Sequence, residues 1–313
     1  MKLLFAFLRL IRSVNLVFIL ITQVLFQYCI IAPIFKKQGL PVVPDFWSFW
    51  IIAGSSVLIA AAGYIINDYF DINIDKINKP DKMVVEKIIH RRNAIIWHWI
   101  LSFAGILLGI WASLRLDIWW IAPANFVCVI LLWFYSTTFK KKLLSGNVII
   151  SLLTAWVVMV VGFSAYFKIF DGSVSLPLMK ASRIIRFTFL YAGFAFIISL
   201  VREVIKDIED MEGDERYGAR TMPVRWGVHV SKVFAGTWIV VLLGAILILE
   251  IYIIQYQWWW PLIYCLLLII IPLLIVLRKL IKASLTADFH SLSAWVKLVM
   301  LTGILSMVFF LYY

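Results

Sequence analysis

The sequence predicts an all-α integral membrane protein: nine transmembrane helices in one bundle, with the N-terminus on the cytoplasmic side. Composition is the first reason. Of 313 residues, 64% are hydrophobic and 15% charged, and the mean hydropathy is +0.98, whereas a soluble domain is about half apolar and roughly a quarter charged. The second reason is nine runs near the ~20 apolar residues that a spanning helix needs: 14–35, 46–66, 94–114, 118–138, 147–168, 184–204, 232–254, 258–277 and 293–312. The third is charge placement. With the N-terminus inside, 21 Lys and Arg fall on the cytoplasmic side. The other side receives Lys36, Lys37, Arg115, Lys168, Lys180, Arg183 and Arg186, and Lys297 lies in the last span. Such a bias over short loops sets orientation. The nine runs are expected to form a single multi-pass domain over 1–313.

The N-terminus, MKLLFAFLRLIRS, has a basic start, but Arg9 and Arg12 interrupt its apolar run and no small-residue cleavage site follows closely. It is therefore expected to be a short amphipathic surface helix leading into the first span rather than a signal peptide. Gly39-Leu40-Pro41 and Asp171-Gly172-Ser173 punctuate outer loops. Trp119–Trp120, Trp258–Trp260 and Tyr312–Tyr313 mark span ends, where amphipathic rings favour the headgroup layer. Cys29, Cys128 and Cys265 lie far apart inside apolar runs and read as small buried hydrophobes. The net charge of +12 is read as loop charge rather than nucleic-acid binding.

The second span runs into N-D-Y-F-D-I-N-I-D, residues 67–75. If the helix continues, Asn67, Asp71 and Asp75 recur every four residues. At ~100° per residue each lies about 40° round from the last, so three oxygen-bearing side chains form one stripe. The sixth span runs into D-I-E-D-M-E-G-D, where Asp207, Asp210 and Asp214 fall at i, i+3 and i+7, also expected on one helical face. Both stripes close even-numbered spans and so face the cytoplasm. Each is followed by a basic, proline-containing loop, Asn78–Lys82 and Arg220–Arg225, which reads as a weak internal repeat in parallel orientation.

An aspartate in the membrane core costs roughly 2.5–3.5 kcal/mol, less near the interface, so the six in these two stretches require compensation. Loop pairing with Lys76, Lys79, Lys82, Lys206 and Arg202 is the plain structural alternative. Mg²⁺ suits the composition better, because carboxylate and amide oxygens favour hard cations. His90, His98, His229 and His290 lack zinc-ligand spacing, and no Walker-type P-loop is present. Two Mg²⁺ ions between the stripes would receive a diphosphate, with Lys82, Lys140, Lys141, Arg202 and Lys206 for the remaining phosphate charge. A diphosphate at the membrane surface with an apolar bundle behind it points to a polyprenyl diphosphate. The chief rival class is a cation-coupled transporter, which would place acids mid-membrane in broken spans.

These motifs resemble the UbiA-type intramembrane prenyltransferases. Asn67-Asp68-x-x-Asp71-x-x-x-Asp75 and Asp207-x-x-Asp210-x-x-x-Asp214 resemble that family's two signatures, Arg12-Ser13-Val14-Asn15 its R-x-x-N, and Asn78-Lys79-Pro80-Asp81-Lys82 its N-[RK]-P-x-[RK] loop. Tyr135-Ser136-Thr137-Thr138-Phe139-Lys140 is similar to its Y-S-x-x-[LF]-K segment. The resemblance implies a UbiA-like bundle and Mg²⁺ held by Asn67, Asp71, Asp210 and Asp214. Asp75 and Asp207 are second choices, and Asp68 follows, being about 100° round from Asn67. It also implies chemistry centred on Asp71, Asp75, Asp207 and Asp210, and diphosphate binding by Lys82, Tyr135, Lys140, Arg202, Lys206, Arg12 and Asn15. Arg202–Gly227 most resembles the branch that prenylates geranylgeranylglyceryl phosphate. Where that branch continues R-P-x-P-S-G, this chain reads Lys82-Met83-Val84-Val85-Glu86, which leaves 4-hydroxybenzoate or another quinone precursor open as acceptor. No protein partner is implied; membrane lipids surround the bundle.

Overall fold

The computed structural model describes residues 2–312 apart from 79, 81, 82 and 175. The described residues form helices joined by turns and loops, with one isolated bridge between Val85 and Ile89. In order they form α1 (Lys2–Leu10), α2 (Ser13–Lys36), α3 (Phe46–Asn78), α4 (Arg91–Leu116), α5 (Ile121–Thr137) and α6 (Ser145–Phe170). There follow α7 (Leu178–Glu209), α8 (Met211–Arg216), α9 (Met222–Ile254), α10 (Trp259–Lys282) and α11 (Thr286–Leu311). Among the described residues, eight helices are long and apolar enough to cross a membrane. The ninth expected span corresponds to α5, whose 17 residues reach about 25 Å at ~1.5 Å per residue.

Two of the spans widen into a π-turn for one physical reason. Phe26–Ile31 in α2 precedes Pro33, and Leu266–Ile270 in α10 precedes Pro272. A proline ring clashes with the carbonyl four residues back and offers no N–H, and a wider turn relieves that clash. In α10 the carbonyl of Leu268, four residues before Pro272, accepts the Thr302 hydroxyl at 2.8 Å. In α9 the kink falls at Gly227, whose φ of 83° only glycine adopts freely.

The chain forms two compact units. The first comprises residues 1–140 and 156–189. Its centre is α3, packed along α4 and α5 through small residues and a polar relay. Ser55 donates to the Gly105 carbonyl at 2.7 Å, and Asn125 Nδ2 donates to Ser55 Oγ at 2.7 Å. Gly109 is needed beside that relay, since a Cβ there would lie 2.2 Å from Asn125 Nδ2. Gln23, fully buried in α2, donates to Ser56 Oγ and to the Val157 carbonyl, both at 3.0 Å. At one end α1 packs with Ile65, Ile72 and the segment Met83–Val85 in a separate apolar cluster. Arg12 joins α1 to α2 in a left-handed conformation, φ 49°.

The second unit comprises 141–155 and 190–313. Its core is a cluster of aliphatic residues from α7, α9, α10 and α11, among them Val201, Ile205, Ile239, Leu273 and Val296. Tyr264 caps the packing by donating to the Thr302 carbonyl at 2.8 Å. Cys29 and Cys128 are buried, Cys265 is half-buried, and all three are free thiols, as expected of small hydrophobes.

Candidate functional site

The helix α3 does continue beyond the apolar run, without interruption, to Asn78. Asn67, Asp71 and Asp75 therefore share a stripe, at the end of a helix that needs ~50 Å for its 33 residues. Asn67 and Asp71 are buried and Asp75 is half-buried. Asn67 Nδ2 donates to Asp71 Oδ2 at 2.8 Å, and Lys140 Nζ forms a close ion pair with the same carboxylate oxygen. Burial alone would depress the Lys140 ammonium, but Asp71, Tyr135 and Asp75 outweigh it and hold its pKa above the ordinary lysine value. Lys140 comes from the short 3-10 turn Phe139–Lys141 directly after α5. The Y-S-x-x-F-K segment thus brings Lys140 to the acidic stripe, with Tyr135 close enough to influence its charge.

On the flank of the stripe, Asp68 Oδ1 accepts from Arg12 Nη2 at 2.7 Å, and the Arg12 guanidinium lies 5.1 Å from the centre of the Tyr64 ring. Burial disfavours the Arg12 charge, and Asp68 and Tyr64 more than offset it, so its pKa is raised. The left-handed backbone at Arg12 is strained for a residue with a Cβ, and it carries the guanidinium to Asp68. Asn15 lies in the following turn, its N–H bonded to the Arg12 carbonyl at 2.8 Å. Lys82 lies outside the described residues. Beyond it, Met83, Val84 and Val85 are buried and, with Asp68, Ile72 and Asp75, line a small cleft. Glu86 closes this loop by pairing with Lys76 at 3.0 Å and Arg91 at 3.5 Å.

The second acidic stretch departs from the expected single helical face. Helix α7 ends at Glu209, Asp210 adopts φ −95° and ψ 4°, and α8 starts afresh at Met211. Asp207, Glu209 and Asp210 crowd a helix C-terminus, whose dipole disfavours anions; the restart puts Glu212 and Asp214 in the first turn of α8, where the dipole favours them. Asp207 Oδ2 accepts from Asn147 Nδ2 at 2.7 Å. Buried Asp214 accepts from the Thr221 hydroxyl at 3.4 Å. Arg202 and Lys206 converge on Glu203, at 2.9 and 3.8 Å, and Arg202 Nε is buried without an acceptor. Glu209 pairs instead with His290 at 2.8 Å.

Asn147, Glu203, Thr221 and Tyr64 are thus site neighbours that sequence reasoning did not single out. Asn147 opens the sixth helix after a lysine run, and Glu203 is an acid beside Arg202 inside a predicted span; both signals were present.

Whether the donors fit a divalent cation can be judged from their atoms. Among the described residues no three His, Cys, Asp or Glu side chains converge. Mg²⁺ needs only one or two carboxylates, with phosphate and water oxygens completing six. Asn67 Oδ1 is buried and has no hydrogen-bond partner, and it adjoins an Asp71 carboxylate that already holds a cation, Lys140. An uncompensated amide oxygen beside a cation-binding carboxylate fits a hard metal ion.

Residues 38–310 match the model of the UbiA prenyltransferase family. The chain belongs to that family. Among curated relatives, digeranylgeranylglyceryl phosphate synthase of Methanothermobacter thermautotrophicus is 32% identical over 62% of this chain and 62% of its own. The protein of the same name from Methanobrevibacter smithii is 30% identical over 75% of this chain and 74% of its own. The chain therefore spans less than two thirds of the first relative's length and about three quarters of the second's. A solved structure of digeranylgeranylglyceryl phosphate synthase in membranes superposes with TM-score 0.63 at 24% identity, over 98% of this chain and 99% of that one. A UbiA homologue from Archaeoglobus fulgidus, solved with GPP and Mg²⁺, gives TM-score 0.56 at 17% identity, over 96% and 99%. Both establish a shared fold. The family sits in the membrane, and the apolar helices here make this member a multi-pass membrane protein.

Proposed function

We propose that this member transfers a geranylgeranyl group from its diphosphate to geranylgeranylglyceryl phosphate, with Mg²⁺, at the cytoplasmic face. The observation that carries the reading is the buried Asn67–Asp71–Lys140 cluster, in which one acid binds a cation while the neighbouring amide oxygen lacks a partner. The acceptor assignment is supported by the relatives' names and by the Arg202–Gly227 run, the metal by the donor set and by the Mg²⁺ in the homologue from Archaeoglobus fulgidus. The cytoplasmic placement rests on the excess of basic residues on the side bearing both acidic stretches.

In this reading Asn67 and Asp71, with Asp75 adjoining, form one Mg²⁺-binding set, and Asp210 and Asp214, with Asp207 adjoining, form the other. Bound Mg²⁺ would neutralise the charge that grows on the departing diphosphate. Lys140 exchanges Asp71 for a phosphate oxygen when the substrate arrives, and Arg12, Tyr135, Arg202 and Lys206 supply further donors. Arg202 Nε, buried without an acceptor, suits a phosphate oxygen. The allylic C1–O bond breaks with its electron pair going to the diphosphate. The acceptor hydroxyl oxygen then bonds to C1, and its proton leaves to the diphosphate or water. The apolar helices shield the cation from bulk water until capture.

Purified protein incubated with radiolabelled geranylgeranyl diphosphate, Mg²⁺ and a panel of acceptors tests this. A labelled diether phosphate is expected. Labelled 4-hydroxybenzoate instead would overturn the acceptor, and no labelled product with any acceptor would overturn the reading.

A further inference from the structure

At the end of α2 and α3 away from the acidic stripe lies a cavity of about 350 Å³. We propose that it binds the headgroup of an anionic phosphoglycerol membrane lipid, independently of the reaction. Its wall includes Gln27, Tyr28, Lys36, Pro44 and Asp45. Gln27 sits in the π-turn of α2, is 2% exposed, and spends its Nε2 on the Pro44 carbonyl at 2.8 Å. Its Oε1 is buried with no hydrogen-bond partner. An orphaned amide oxygen within a membrane span is costly, and a hydroxyl is the neutral donor that would satisfy it.

The charge of the wall selects the rest of the ligand. Asp45 is already neutralised by Arg115 at 3.1 Å and bonded by Ser48, while Lys36 is exposed at the rim with Lys37 beside it. With Asp45 paired to Arg115, the exposed Lys36 ammonium at the rim suits a phosphate. Side chains on a helix lean towards its N-terminus, so Lys36 leans towards the Gln27 end of the cavity. Phe46 and Trp47 are exposed beside the mouth and stack edge-on at 5.4 Å, a belt of the kind that sits in the headgroup layer. A phosphoglycerol headgroup offers both a phosphate for Lys36 and hydroxyls for Gln27. A choline headgroup offers no hydroxyl and brings a cation.

Native mass spectrometry of the delipidated full chain, titrated with dioleoyl phosphatidylglycerol or dioleoyl phosphatidylcholine, tests this. Phosphatidylglycerol is expected to bind about tenfold more tightly. Lys36→Gln and Gln27→Leu are each expected to remove most of that preference. Ala32→Leu, which narrows the same cavity without touching the Gln27 hydrogen bond, should do likewise if Gln27→Leu fails to fold. Equal binding of the two lipids overturns the proposal. So does a preference lost with Lys36→Gln alone, because the cavity would then play no part.

Discussion

Replacing Lys140 by methionine separates the two roles assigned to the Asp71 cluster. In the wild type, Asp71, 6% exposed at its side chain, is compensated by the Lys140 ammonium and one Asn67 N–H. Lys140→Met keeps the length and apolar stem of the side chain but, among the described residues, leaves a buried carboxylate with a single neutral donor. Removing one partner of a buried pair costs about 3–5 kcal/mol, and because Lys140 is 27% exposed the lower end applies. The variant should therefore lose about 3 kcal/mol in EDTA. Mg²⁺ should restore part of it, since a ligand at ten times its Kd stabilises the folded state by about 1.4 kcal/mol. Unfolding in detergent micelles, followed by tryptophan fluorescence across a Mg²⁺ titration, reads both quantities. Asp71→Asn should largely abolish the Mg²⁺ response, and Asp71→Asn/Lys140→Met should be less destabilised than the two single losses summed. A Lys140→Met variant as stable as wild type in EDTA, or one indifferent to Mg²⁺, would refute the argument.

Further consequences can be measured separately. Gly109→Ala places a methyl 2.2 Å from Asn125 Nδ2, which breaks the Asn125–Ser55 bond; unfolding measurements should show a loss of about 1–3 kcal/mol. Arg12→Gln removes the guanidinium on Asp68 and should raise KM for the prenyl diphosphate by roughly tenfold, the equivalent of about 1.4 kcal/mol, which steady-state kinetics would reveal. Acid pH acts on Asp171 in the α6–α7 turn: the partial loss of solvation there favours the neutral form, but Lys168 and Ser173 outweigh it and hold the pKa at about 2. Its contribution is therefore present above the unfolded carboxylate value and fades only as pH falls towards about 2. Hydrogen exchange at Ser173, whose N–H donates to Asp171, should stay slow at pH 4.

The spans were legible because bilayer thickness imposes a length that hydropathy reveals directly. So was the Asn67–Asp71–Asp75 stripe, since a four-residue spacing on a continuous helix needs no tertiary information. The break at Asp210 was harder to read. Spacing suggested one face, while the crowding of acids at a helix C-terminus, an electrostatic effect over several residues, favoured a restart. Partners such as Asn147 and Thr221 depend on which helix ends meet in space, which periodicity does not encode. Met83–Val85, which looked like a divergent loop, is apolar because it packs beneath α1 against Ile65 and Ile72.

The most direct test of the central claim is release of radiolabelled diphosphate from geranylgeranyl diphosphate in a single turnover with geranylgeranylglyceryl phosphate present. Wild type should release it with Mg²⁺ and not in EDTA, and both Asp71→Asn and Asp210→Asn should reduce the rate by at least a hundredfold, about 2.7 kcal/mol of transition-state stabilisation. Release at an undiminished rate in EDTA, or in either variant, would contradict the account.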